Sequence, residues 1–369
     1  MKIANITFVP RGNYGGILQA YALQQVLIEL GHEPLLIEID EYQYISYFKL
    51  LVELPKRLYT KYILKKRRHI LNEKYHNKYI DNLRRYTGNF IQNNIKSEFY
   101  NRYEDIDLEN FDAFIVGSDQ VWRYIFNINN ITQMYLSFIP PECNAIRLSY
   151  GASFGTNKWE YSNELTNLCT NLIKYFDAIS VREIDGVKMC EKYLGRADAI
   201  VVLDPTLLLP KEHYLKICEK ISPCKKKILL AYILDKNENI ETILQNYTLK
   251  LGLELNLISA DLDATLTVEQ WIAMFRDATF VITDSFHGTI FSIIFNKQFI
   301  SLENEKRGNS RLSSLMNLLN LTDNLFKPNI TNINASNTIN WNKLNNRIAE
   351  LKHLSINFLI SHLNNERNH

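Results

Sequence analysis

Apolar residues along this chain fall into short continuous runs, separated by stretches in which they recur every three or four positions. Lys2–Val9 is a β-rich run and Pro10–Gly16 a glycine-containing loop. Ile17–Leu30 has apolar residues at 17, 18, 20, 23, 26, 27 and 30, which predicts a helix, and Gly31 stands where a helix-ending glycine belongs. Pro34–Ile39 is a second strand, so the chain opens on a β-loop-α-β unit, which implies a parallel sheet. Asp112–Val116, Ile146–Tyr150, Ala178–Val181 and Ile200–Leu203 continue as strands, with Leu165–Phe176 and Glu183–Leu194 as helices. A helix and a polar junction fill 210–226, and the alternation then restarts. Strands are expected at Ile228–Leu234, Glu254–Ile258, Phe280–Thr283 and Phe299–Leu302, and helices at Ile240–Leu251, Val268–Phe275, Thr289–Phe295 and Leu312–Leu319. Two such blocks predict an α/β fold with two Rossmann-like domains, 1–210 and 225–340, followed by terminal helices within 341–369. Residues 41–108 break the pattern and read as a Tyr-rich, basic helical insertion in the first domain.

Composition narrows the function classes. Of 369 residues, 46% are hydrophobic and 22% charged, which is a globular chain with a sizeable core. Lys+Arg of 42 against Asp+Glu of 40 leaves a net charge of +2, so no basic field for nucleic acid is present and no nucleic-acid partner is expected. That sum hides a partition: between Lys49 and Arg85 there are 12 Lys/Arg against 3 Asp/Glu, leaving −7 for the rest. Within it, residues 50–71 read as a basic amphipathic helix. It either packs its apolar face on its own domain or meets anionic lipid headgroups at a membrane surface. Five Cys with no C-x-x-C spacing exclude a paired disulfide framework and a structural zinc site, and suit a reducing cytosol. Neither a signal peptide nor an 18-residue apolar run is visible.

Ligands in open α/β sheets bind beyond the carboxyl ends of strands, often at helix N-termini. Four places qualify. Gly12-Asn13-Tyr14-Gly15-Gly16 follows the first strand with neither a dinucleotide nor a P-loop spacing, and is either a tight turn or a backbone cradle. Gly117-Ser118-Asp119-Gln120-Val121-Trp122 follows another and is either a site wall or a helix cap with Trp122 as packing. Arg182 leaves the strand 178–181, where a guanidinium matches phosphate or carboxylate; alternatively it pairs with Glu183. Thr283-Asp284-Ser285-Phe286-His287-Gly288 joins a buried strand to an apolar helix, placing the side chain best suited to proton transfer near neutral pH at a helix N-terminus. The loop 305–311 is a weaker fifth place, with Arg311 its most interesting member. No H-E-x-x-H or D-x-D constellation appears, so neither a metal nor a cofactor is expected.

At these residues the sequence resembles the polysaccharide pyruvyl transferase family. The match rests on Asn13-Tyr14-Gly15-Gly16 with Gln19-Ala20-Tyr21-Ala22-Leu23, on Gly117–Trp122, and on Ser149-Tyr150-Gly151-Ala152-Ser153-Phe154-Gly155. It continues in Ser180–Glu183, Asp204-Pro205-Thr206 and Thr283–Gly288, covering roughly residues 1–320. The resemblance implies two facing domains like those of the GT-B glycosyltransferases. It also implies phosphoenolpyruvate as donor and, as acceptor, a sugar of a surface polysaccharide or of its lipid-linked oligosaccharide precursor. On this basis His287 and Asp119 are the expected catalytic residues. Arg182, Ser285, Phe286, Gly288 and Arg311 are expected at the donor, and Asn13, Tyr14, Gly15, Gly16, Gln120 and Trp122 at the acceptor. Some family members carry arginine where this chain has Ser285, and Arg311 is the candidate replacement. A cytoplasmic enzyme is expected, peripheral on the inner membrane face if residues 50–71 meet lipid rather than pack on their own domain. The rival readings are a nucleotide-sugar glycosyltransferase on the same scaffold, with Glu303 or Glu305 holding a donor ribose, and a catalytically silent glycan-binding member.

Overall fold

The computed structural model describes residues 1–40, 47–62, 71–259, 265–329 and 338–364. The first domain runs β1 (Lys2–Ile6), α1 (Tyr14–Glu29), β2 (Glu33–Ile39), α2 (Tyr47–Tyr62), α3 (Asn72–Arg84), α4 (Gly88–Asn94), β3 (Ser97–Tyr100), β4 (Ala113–Val116), β5 (Ile146–Ala152), α5 (Asn163–Ile173), β6 (Ala178–Val181), α6 (Ile184–Leu194), β7 (Ile200–Val201) and α7 (Lys211–Ile217). The second runs β8 (Ile228–Ile233), α8 (Glu238–Leu251), β9 (Glu254–Ser259), α9 (Val268–Asp277), β10 (Phe280–Thr283), α10 (Phe286–Ile294), β11 (Gln298–Leu302), α11 (Asn309–Leu318) and β12 (Leu325–Phe326). A long helix, α12 (Trp341–Leu363), ends the described chain.

Both sheets are parallel. The first has the order β3-β2-β1-β4-β5-β6-β7 and the second β12-β11-β10-β8-β9. These are the two doubly wound orders, 3-2-1-4-5-6 and, counted from β8, 2-1-3-4-5. Each sheet therefore reverses its winding once, between β1 and β4 and between β8 and β10, and a crevice opens beyond the strand ends there. Central strands such as β4, β8 and β10 are continuous hydrophobic runs because both faces are covered. In β8, Leu230 and Tyr232 join the large core shared with the first domain, while Leu229, Ala231 and Ile233 join a smaller core on the other face.

Helix starts follow side-chain caps. The expected start of α1 at Ile17 moves to Tyr14 because Asn13 accepts from the Gly16 N–H. That of α10 moves from Thr289 to Phe286 because Ser285 accepts from the Gly288 N–H. The insertion is not helical throughout: after α4 the four residues of β3 add an edge strand to the first sheet, too short to alternate visibly. The terminal region forms a single helix, and α12 returns to the first domain, where Ser355 accepts from the Leu203 N–H at 3.0 Å and Phe358 lies against Tyr150. Of the basic stretch 50–71, residues 63–70 lie outside the described residues.

Candidate active site

The two winding reversals face each other. The turns after β1, β4, β8 and β10 enclose a crevice of about 560 Å³, lined among others by Asn13, Asp119, Gln120, Ser285, Phe286 and His287. The loop from Asn304 to Leu312 closes one side.

His287 is the second residue of α10 and only 7% exposed. Its Nε2 lies 3.5 Å from Asp204 Oδ2, an ion-pair distance. Asp204 follows β7 in the other domain and is wholly buried. Its Oδ1 accepts from Thr206 N (2.9 Å) and Thr206 Oγ1 (2.5 Å), and its Oδ2 stands 3.1 Å from Arg182 Nη2. Burial raises the Asp204 carboxyl, but the charge of Arg182, the contact with His287 and the Thr206 hydrogen bond outweigh it and hold it well below the usual carboxylate range. Opposite, a Cβ on Gly15 would collide with Nδ1, Cγ and Cε1 of the imidazole. Glycine there lets the first turn of α1 press on the ring across the domain boundary.

Two guanidiniums flank Phe286, each 5.1 Å from its ring centroid: Arg182 and Arg311. Both reach Asp119 Oδ1, Arg311 Nη1 at 3.2 Å and Arg182 Nη1 at 3.8 Å, and Arg182 Nη2 also donates to Ser118 Oγ. Burial pushes Arg311 down to about 10, against the opposing pull of Asp119. Nε of both arginines and Nη1 of Arg182 are buried with no hydrogen-bond partner, a state that proteins rarely leave unused. The Phe286 and His287 N–H groups, first in α10, have no intrahelical acceptor either. Asp119 itself has φ of 80°, costly for a non-glycine residue by about 1–3 kcal/mol.

The structure brings Asn13, Tyr14, Gly16, Asp119, Gln120, Ser285, Phe286, His287 and Arg311 to one crevice, and gives several expected residues structural work. Trp122 is fully buried, donating to Met134 O and stacking on Tyr135, so it packs the first domain and cannot touch an acceptor. Gly288 is a packing glycine: a Cβ would strike Thr283 and Tyr232, and its N–H is committed to Ser285. The Ser285 side chain is correspondingly a cap. Tyr14 clasps the domains together, its hydroxyl donating to Leu266 O at 2.7 Å and its ring stacked on Trp271, with burial pushing the phenol up to about 12. Arg182 does not line the crevice, because Asp119 and Asp204 draw it inward. Glu303 and Glu305 open on a separate cavity of about 450 Å³, with Lys236, Lys306 and Lys327.

Asp204, within the motif Asp204-Pro205-Thr206, was given no role at the site although it ends a strand, and neither were Gly155 and Gly308. A Cβ on Gly308 would collide with the Gly155 carbonyl, so this pair sets how closely the domains approach. Among the described residues no group of three or more His, Cys, Asp and Glu is placed to hold a metal ion.

Residues 13–306, from the cap of α1 to the Asn304 loop, match the family described as polysaccharide pyruvyl transferase. The chain belongs to the polysaccharide pyruvyl transferase family. No curated protein matches it significantly in sequence. Among solved structures, the UDP-N-acetylglucosamine 2-epimerase of Rickettsia bellii is 9% identical with a TM-score of 0.44, covering 98% of each chain. The UDP-GlcNAc 2-epimerase of Neisseria meningitidis, bound to UDP-GlcNAc, is 9% identical with a TM-score of 0.45 over 98% of this chain and 99% of that one. E. coli ADP-heptose lps heptosyltransferase II is 10% identical with a TM-score of 0.37, covering 96% and 99%. In this member of the pyruvyl transferase family the histidine belongs to the second domain, and its carboxylate partner and its glycine backing belong to the first.

Proposed function

We propose that the protein transfers pyruvate from phosphoenolpyruvate onto two hydroxyls of a sugar in a surface polysaccharide or its lipid-linked precursor, forming a cyclic ketal and releasing phosphate. The observation that carries this reading is the pair of buried arginines with unpartnered N–H groups beside His287. A small donor bearing phosphate and carboxylate calls for such cationic and N–H ligands. Arg311 and the N–H groups of Phe286 and His287 meet the donor at the crevice, with Arg182 one layer behind. His287 is the general acid that protonates the enol methylene. Asp119 faces the acceptor with Gln120, Asn13 and Gly16, and contends with the donor for the two arginines.

The acceptor reading extends to the insertion. Tyr79 and Leu83 of α3 line the crevice, and beside them α2 exposes Leu51 (54%), Val52 (69%) and Tyr59 (55%) among its basic residues. Contact of α2 with an anionic membrane surface would bring a lipid-linked acceptor to the crevice mouth. No described helix is long and apolar enough to cross a membrane.

Binding is tested by thermal unfolding. Millimolar phosphoenolpyruvate should raise the melting temperature, by about 2.7 kcal/mol of stability at a hundredfold excess over Kd. A shift with UDP- or ADP-sugars and none with phosphoenolpyruvate would instead favour a glycosyltransferase.

A further inference from the structure

Asp204 is a wholly buried carboxylate with one oxygen tied down and one offered. Oδ1 is held by two donors of Thr206, which fixes the plane of the group, and Oδ2 stands between Arg182 Nη2 and His287 Nε2. We infer that Asp204 is a positioning residue for His287: it orients the imidazole and stands as the counter-charge to its protonated form. The inference rests on the pyruvyl-transfer reading for its purpose, but its geometry stands without it.

Three features carry it. First, the contact crosses the domain boundary: Asp204 follows β7 and His287 opens α10. The acid is therefore complete only when the domains are closed. Second, with Nε2 turned to Asp204, the ring presents Nδ1 and Cε1 to Gly15, whose backbone packs on that edge and holds the ring between the two domains. Third, the charges around the ring leave Asp204 as its direct electrostatic partner. Arg182 lies behind Asp204, Gly15 brings only backbone, Phe286 presents its ring at 5.3 Å, and Asp119 and Arg311 pair with each other. The Asp204 carboxyl is held low, so it stays ionised throughout the working range of a histidine.

The proton balance assigns Asp204 no proton of its own. The imidazolium gives a proton to the methylene carbon of phosphoenolpyruvate, and C2 becomes the cationic centre. The first sugar hydroxyl adds its oxygen to C2 and returns its proton to the neutral imidazole. The C2–O bond to phosphate breaks, the second hydroxyl adds, and its proton leaves with the phosphate. One hydroxyl proton is thus accounted for in the new methyl group and the other in the released phosphate.

The test is Asp204→Asn in the full-length protein, with two readouts. Removing the negative charge leaves Arg182 as the nearest charge to His287, so the imidazolium should be disfavoured. The expected results are a tenfold or greater fall in kcat with a smaller change in the KM for phosphoenolpyruvate, and an alkaline limb of the kcat–pH profile at least one unit lower. Histidine-selective NMR, with the His287 resonance assigned by its loss in His287→Gln, should show the same downward shift without substrate. Thr206→Val, which loosens the carboxylate but keeps its charge, should give a smaller change in kcat and little movement of the limb; it also serves if the Asn variant does not fold. An unchanged His287 titration in folded Asp204→Asn would overturn the inference. If the titration moves but wild-type protein transfers no pyruvate, the positioning role stands and the functional reading fails.

Discussion

The crevice and the helical insertion both carry several charges, and they use them in opposite ways. At the crevice wall and just behind it, Arg182, Arg311, Asp119, Asp204 and His287 are all buried, and they interlock within ion-pair distances of 3.1 to 3.8 Å. On α2 and α3 the charges meet solvent among exposed Leu51, Val52, Tyr59, Tyr75 and Tyr79, and Arg57 bridges Glu53 and Glu73. An ion pair between fully exposed side chains contributes little, about 0–1 kcal/mol, whereas removing one partner of a buried pair costs about 3–5 kcal/mol. The difference lies in burial: the densest run of charge along the chain falls on the helical insertion, while a few charges at strand ends interlock in the interior.

The sharpest way to break that contrast is at its buried side. His287→Ala and Arg182→Ala should each lower kcat/KM well over tenfold, a few kcal/mol in transition-state terms. Arg182→Ala should also lower the melting temperature, because it leaves Asp204 and Asp119 short of a counter-ion. Arg182→Lys should restore little, since a point charge cannot reach Ser118, Asp119 and Asp204 together. Near-wild-type turnover in purified His287→Ala would remove the assigned acid.

Next comes the domain contact. Gly15→Ala should keep the fold and lose about tenfold or more in kcat, because the added methyl displaces the imidazole or holds the domains apart. Steady-state kinetics beside a thermal melt separates the two; an equal loss of stability and activity would make Gly15 a packing residue only. A gentler change is Asp119→Asn. It frees Arg311 and Arg182 from a shared counter-ion, so phosphoenolpyruvate should give a larger thermal shift while turnover falls. A weaker shift would mean that Asp119 does not contend with the donor.

The smallest effects should come from the insertion. Replacing Lys56 and Lys61 of α2 by Gln should leave turnover of a soluble acceptor unchanged and reduce flotation with anionic liposomes at low salt. Salt-independent absence of binding by the wild-type protein would return this surface to a solvated helix pair.

Most of the architecture was legible because its signals are local. Fully buried strands such as Ala178–Val181 and Phe280–Thr283 appear as unbroken apolar runs, and their ends coincide with the expected ones. Edge strands carry no such run: β3 has three half-buried residues and the exposed Phe99, and β12 has two half-buried residues. Helix starts were missed by three residues wherever the cap was an Asn or Ser inside a glycine-containing motif, at Asn13 and Ser285. The site was legible as a set of turns, since each follows a strand, but not as a set of contacts. That Gly15 backs His287 and that Asp204 pairs with it depend on how two domains meet, about 80 to 270 residues apart in sequence, whereas Trp122 turns away from the crevice by packing within the first domain on Met134 and Tyr135.

The central claim is that this crevice makes a pyruvate ketal, and product mass tests it most directly. Purified protein incubated with phosphoenolpyruvate and candidate mono-, oligo- and lipid-linked saccharide acceptors should yield an acceptor heavier by pyruvate minus water, with one phosphate released per product. A product heavier by a whole sugar from a nucleotide-sugar donor, with phosphoenolpyruvate left intact, would contradict it.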